Sequence, residues 1–108
     1  MIQITFYKKA DESLKGFQVL GHADSVEEGA DLVCCAVSVL TINVLNSLEK
    51  FTDADYEVTE HEQMGLIQLT FRGDPGADAQ LLVQSYALGG ESVASQYFDW
   101  LQVIYREV

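Results

Sequence analysis

Residues 21–48 read GHADSVEEGADLVCCAVSVLTINVLNSL, a polar, glycine-bounded connection that runs straight into an uncharged apolar segment. Within that segment Val33, Val37, Leu40, Val44 and Leu48 recur at helical spacing, and Cys35, Val39 and Ile42 form a second apolar set. A helix that is apolar on two sides must be covered on two sides. A sheet is expected against one, and either a second helix or another subunit against the other. Residues 32–48 fall short of a membrane-spanning length and include Ser38, Thr41, Asn43, Asn46 and Ser47, so the helix is read as buried in a folded domain. Two start signals compete. Ser25 with Glu28 forms a capping box, whereas Gly29 would interrupt that turn and Asp31 offers a second cap. The later start is preferred, and it sets Cys34 in the first turn.

Working outward, Ile2, Ile4 and Phe6 alternate with Gln3, Thr5 and Tyr7 as a strand does when one face is buried. A polar connection over 8–15 leads to a second strand, in which Phe17 and Val19 alternate with Gln18 and Leu20 and which delivers His22 to its end. Beyond the helix, Tyr56 and Val58 mark a third strand over 56–59. Residues 61–65 make a turn, and Ile67, Leu69 and Phe71 mark a fourth strand, which ends at Arg72-Gly73-Asp74-Pro75-Gly76. A second helix over 77–97 carries Leu81, Leu82, Leu88 and Val93, and Gly89 with Gly90 predicts a bend or break in its middle. Residues 100–105 close the chain as a fifth strand. The expected fold is α+β: a largely antiparallel five-stranded sheet with two helices packed on it, order ββαββαβ, in one domain spanning 1–108.

With 48% apolar residues the chain is rich enough for one core. Six basic against 17 acidic residues give a formal charge of -11, which disfavours nucleic acid or an anionic membrane as a direct partner and favours a cationic one. Met1 leads directly into a strand pattern, so no signal peptide is expected and the location is read as cytoplasmic. Cys34 and Cys35 are neighbours, and a bridge between them would be incompatible with a helix; both thiols are expected reduced.

The chemistry-bearing residues are His22 and Cys34, an imidazole at a strand end and a thiol near a helix start. A cysteine attacks as its thiolate, and a free thiol, with a pKa of about 8.5, is mostly protonated at neutral pH. A helix N-terminus and a neighbouring imidazole both favour the thiolate. Gly21 and Gly29 bracket the connection over 23–28, whose acids Asp24, Glu27 and Glu28 are expected to admit and cover a cationic substrate. Set against this, a helical cysteine is commonly structural, and packing is the reading for Cys35. His61, between Glu60 and Glu62, reads as a solvated turn residue. Asp31, one helical turn before Cys34, would oppose thiol ionisation and reads as a cap or loop anchor. Ser38 reads as a hydrogen-bonding partner of a backbone carbonyl or a neighbouring side chain. No metal or other cofactor is expected, because adjacent helical cysteines point about 100° apart and cannot easily share an ion.

Taken together, Gly21-His22-Ala23, a short acidic loop, then Gly29, Asp31, Val33, Cys34, Ala36 and Ser38 resemble the bacterial ribosomal-processing cysteine protease family, Prp. The resemblance extends over nearly the whole chain and departs at Cys35, where that family is expected to hold a small residue. It implies His22 as base and Cys34 as nucleophile, with Gly21, Gly29, Asp31 and Ser38 as supporting positions of the motif. It further implies a homodimer, and a substrate in the N-terminal extension of a basic large-subunit ribosomal protein, number twenty-seven. The residues alone reach only a thiol hydrolase candidate. The rival is a noncatalytic acidic dimeric module that binds a basic ribosomal protein, and turnover separates the two.

Overall fold

The alternation at the N-terminus becomes β1 (Ile2–Lys8), whose Ile2, Ile4 and Phe6 are buried. In the computed structural model, which describes residues 1–21 and 28–108 and for residue 28 the backbone alone, β1 pairs antiparallel with β2 (Leu14–Leu20), setting Ile4 opposite Val19 and Phe6 opposite Phe17. The second strand begins at Leu14, inside the stretch expected to be a connection. Leu14 is buried, and Gln80 holds both of its backbone groups: the Leu14 N–H donates to Oε1 at 2.9 Å and Nε2 donates to the Leu14 carbonyl at 2.6 Å.

The remaining elements are α1 (Glu28–Phe51), β3 (Tyr56–His61), a 3-10 turn (Glu62–Met64), β4 (Leu66–Phe71), α2 (Gly76–Gln96) and β5 (Leu101–Glu107). The order is the ββαββαβ expected. The sheet runs β3-β4-β2-β1-β5, antiparallel except where β5 lies parallel to β1. Strand alternation turns Ile4, Phe6, Phe17, Val19, Leu69 and Phe71 to one face, where they share a core with both helices. The opposite face carries Gln3, Gln18, Gln68, Thr70 and Gln102.

Four expectations change. First, α1 is helical from Glu28, so Asp31 is not its cap and Cys34 falls in the second turn, beyond the unpaired N–H groups and most of the dipole's reach. Second, Gly29 does not interrupt the helix. A Cβ there would stand 2.8 Å from Cη2 and Cζ3 of Trp100, so glycine lets the helix rest on the indole. Third, α2 is continuous through Gly89 and Gly90, since these are contact points: a Cβ on Gly89 would meet Leu40 Cδ2 at 3.0 Å, and one on Gly90 would meet Ile4 Cδ1 at 3.4 Å. Fourth, α2 buries Ala79, Val83, Tyr86, Ala87 and Gly90 and leaves Leu81 and Leu88 exposed, because small residues let it approach α1 closely.

The first helix has the length and the mean hydropathy, 1.7, of a membrane span. Its stripe Val33, Val37, Val44 and Leu48 is nevertheless packed into the core, as in the core helix of a folded domain. It is buried on one side only, since Leu32, Cys35, Val39 and Ile42 face outward.

Two predictions arise here. Gly29→Ala gains helix propensity of about 0.5–1 kcal/mol but forces a methyl into Trp100, an overpacking worth about 1–3 kcal/mol, so the melting temperature should fall. The same change in a Trp100→Leu background should cost less; an equal loss in both backgrounds would contradict the contact. Tyr86 is packed on Phe6 and Phe17, and its hydroxyl shares a hydrogen bond with Thr41 Oγ1 at 2.8 Å, while Thr41 Oγ1 is 2.7 Å from the Val37 carbonyl. Burial pushes the Tyr86 phenol up to about 12, and the Thr41 hydrogen bond acts the other way. The buried phenolate is disfavoured, so stability is full below the unfolded value near pH 10 and is lost as pH rises through the folded value. Denaturant titrations from pH 9 to 12 should show a shallower alkaline loss in Tyr86→Phe. Tyr105, also raised to about 12, accounts for part of the slope that remains.

Candidate functional site

At the end of β2 the chain turns on Gly21, whose φ of +103° lies in the region that favours glycine. A Cβ there would stand 2.5 Å from the Met1 carbonyl oxygen, and the Gly21 N–H donates to the Gly65 carbonyl at 3.2 Å. The point from which residue 22 departs is thereby fixed between the start of β1 and the turn that joins β3 to β4. His22 itself lies outside the described residues, as does the connection over 23–27 with Asp24, Ser25 and Glu27; the Glu28 side chain is likewise not described.

Beside Gly21 opens a cavity of about 250 Å³. One wall is α1, which presents Cys34, Val37, Ser38, Thr41 and Ile42; residues four, seven and eight positions beyond Cys34 share its face. Ile2, Val19, Leu66 and Ile67 make an apolar floor from the sheet. The facing wall is the end of β3 and the following turn, with Glu60, His61, Glu62 and Gly65. Cys34 is exposed, so its sulfur is accessible to a molecule that enters. Ser38 is exposed one turn further on, whereas the buried Thr41 hydroxyl is already engaged by Val37 and Tyr86.

Of the positions singled out in the sequence, the structure brings Gly21, Cys34 and Ser38 to this cavity. Gly29 lies under Trp100, and Asp31 is exposed and does not line it. Cys35, expected to pack, is exposed: one residue turns a helix by about 100°, which carries its thiol out of the cleft toward the face of Leu32 and Val39. His61 was expected in a solvated turn. It is exposed, as expected, but it is the last residue of β3 and also lines the cavity, because the ladder continues past Thr59 with Glu60 opposite Ile67 and His61 opposite Leu66. The sequence signal was available in Ile67 and Leu66, whose partners had to lie at 60 and 61 once Tyr56 was set against Phe71. Among the described residues no three of His, Cys, Asp and Glu converge as metal ligands would.

An accessible thiol on a helix wall, an apolar floor and an acidic wall opposite form a cleft suited to holding a peptide segment while its backbone carbonyl meets the sulfur. The comparisons agree with that chemistry. The family model for cysteine protease Prp matches residues 1–102. The ribosomal processing cysteine protease Prp of Bacillus subtilis (strain 168) is 30% identical over 107 residues, covering 95% of this chain and 96% of that one. Among solved structures, the essential ribosomal processing protease Prp of S. aureus, in complex with a covalently linked product peptide and also with a substrate peptide, superposes with a TM-score of 0.90 at 20% identity, over 98% of this chain and 100% of that one. SMU.848 from Streptococcus mutans superposes with a TM-score of 0.88 at 27% identity, over 100% and 99% of the two chains. With the family model matching nearly the whole chain, the curated relative aligned over almost all of both sequences, and an accessible thiol at the cleft, this chain belongs to the Prp family of ribosomal-processing cysteine proteases.

Proposed function

We propose that this protein is a cytoplasmic cysteine endopeptidase that removes the N-terminal extension of large-subunit ribosomal protein twenty-seven, with Cys34 as nucleophile and His22 as base. The observation that carries the reading is that Cys34 and Gly21, the residue immediately before His22, line one cleft. His22 takes the thiol proton, and the thiolate attacks the scissile carbonyl carbon. As the tetrahedral intermediate collapses, the carbon–nitrogen bond breaks and the imidazolium protonates the leaving amine. This leaves a thioester on Cys34. Water then gives a proton to His22 and attacks the thioester; the new carboxyl product leaves and the thiol is restored. The covalently linked product peptide seen on the S. aureus protein supports a covalent course here.

The formal charge of -11 suits a basic ribosomal substrate and disfavours direct contact with nucleic acid or an anionic membrane. Intact-mass measurement of the precursor ribosomal protein after incubation with this chain is the test. Two fragments whose masses sum to the precursor plus one water are expected, and an unchanged precursor would leave only the binding-module reading. Cytoplasmic location is supported by two adjacent exposed free thiols, which a reducing compartment preserves; recovery in an oxidising compartment on cell fractionation would contradict it.

The protein acts as a homodimer in this reading, its contact built on the outward face of α1, where Leu32 and Val39 are 54% and 61% exposed in the single chain. Sedimentation should give a dimer that Val39→Glu dissociates. A monomeric parent would contradict it.

A further inference from the structure

We propose that Glu60 and Glu62 form a charge-selecting wall of the cleft, so that the enzyme prefers peptides with a lysine or arginine close to the scissile bond. The inference rests on the protease reading above and adds to it a substrate class. Cys34 and Ile42, at the two ends of the helix wall, are eight residues apart, or about 12 Å at 1.5 Å per residue. An extended peptide rises about 3.3 Å per residue, so the cleft spans about four of its residues. Successive side chains of such a peptide point to opposite sides. One set descends to the apolar floor, and the alternate set reaches the rim.

On that rim the described lining has two carboxylates, from Glu60 and Glu62, and no lysine or arginine. The ion pairs among the described residues use other acids: Glu12 with Lys8, and Asp55 and Glu57 with Arg72. The contrast along β3 is informative, because Glu57, away from the cleft, has a guanidinium at 3.5 Å, whereas Glu60 lines the cleft. A cationic side chain placed there would meet both acids. A carboxylate would be repelled by both.

The test is a positional scan on the peptide spanning the ribosomal extension. Each residue within four of the scissile bond is set in turn to Lys, Gln or Glu, and kcat/KM is measured for the parent and for the Glu60→Gln, Glu62→Gln double variant. The parent should cleave the Lys peptide roughly ten-fold better than the Glu peptide at one or two positions at low salt. The advantage should shrink at 1 M salt, where charges are screened over about 3 Å. In the double variant the Lys-to-Glu ratio at those positions should fall several-fold, and any uniform loss cancels in the ratio. A ratio near one in the parent, or a ratio that the double variant preserves, would overturn the wall. Failure of the parent to cleave any of the peptides would instead overturn the protease reading on which the wall depends.

Discussion

Cys34→Ala is expected to lower kcat for peptide cleavage by at least about 10⁴-fold while leaving the thermal midpoint where it was. Both halves follow from placement. The thiol is exposed on the α1 wall of the cleft, so its loss removes a nucleophile without opening a hole in the core. Core packing under that part of the helix comes from Val33 and Val37, which the substitution does not touch. Cys35→Ala is the internal control. Its thiol is turned about 100° from its neighbour's, onto the face of Leu32 and Val39, and most activity should remain. The opposite pattern, with Cys35 essential and Cys34 dispensable, would shift the motif by one residue and dismantle the site as described.

His22→Ala should cost about 10²- to 10⁴-fold in kcat/KM, the usual contribution of a positioned base, whereas His61→Ala should cost less than about ten-fold. The comparison matters because His61, the other imidazole of the chain, also lines the cleft. His61 is held at the end of an edge strand between two exposed glutamates. His22 follows directly from Gly21, which is fixed by its bond to Gly65 and by its close approach to Met1. Activity that survives loss of His22 and disappears with His61 would move the base to β3.

The architecture was legible where each strand alternates cleanly. Ile2, Ile4 and Phe6, then Ile67, Leu69 and Phe71, then Leu101, Val103 and Tyr105 each declare one buried face, and those faces join into one sheet. Glycine was misread twice for a shared reason. Gly29 and the Gly89–Gly90 pair look like interruptions in a one-dimensional sequence, yet Trp100 crowds the first, Leu40 presses on Gly89, and Gly90 lies at packing distance from Ile4. That proximity is set by elements far away in sequence. The helix start was misjudged as a consequence of Gly29, and with it the capping role given to Asp31. That Cys34 would stand on a helix was legible from the apolar periodicity around it. His61 was not, because its place in the cleft depends on how far the β3–β4 ladder extends.

The most direct check of the central claim, that Cys34 is the nucleophile of a peptide-cleaving cleft, is to trap it. A peptide spanning the ribosomal extension, carrying a chloromethyl ketone in place of the scissile amide, would be incubated with the protein and the adduct located by fragment-ion mass spectrometry. The account predicts one adduct per chain, on Cys34 and not on Cys35, formed far more slowly in His22→Ala and blocked by an excess of uncleaved peptide. An adduct on Cys35, equal labelling of both thiols, or labelling that the substrate peptide does not slow would contradict it.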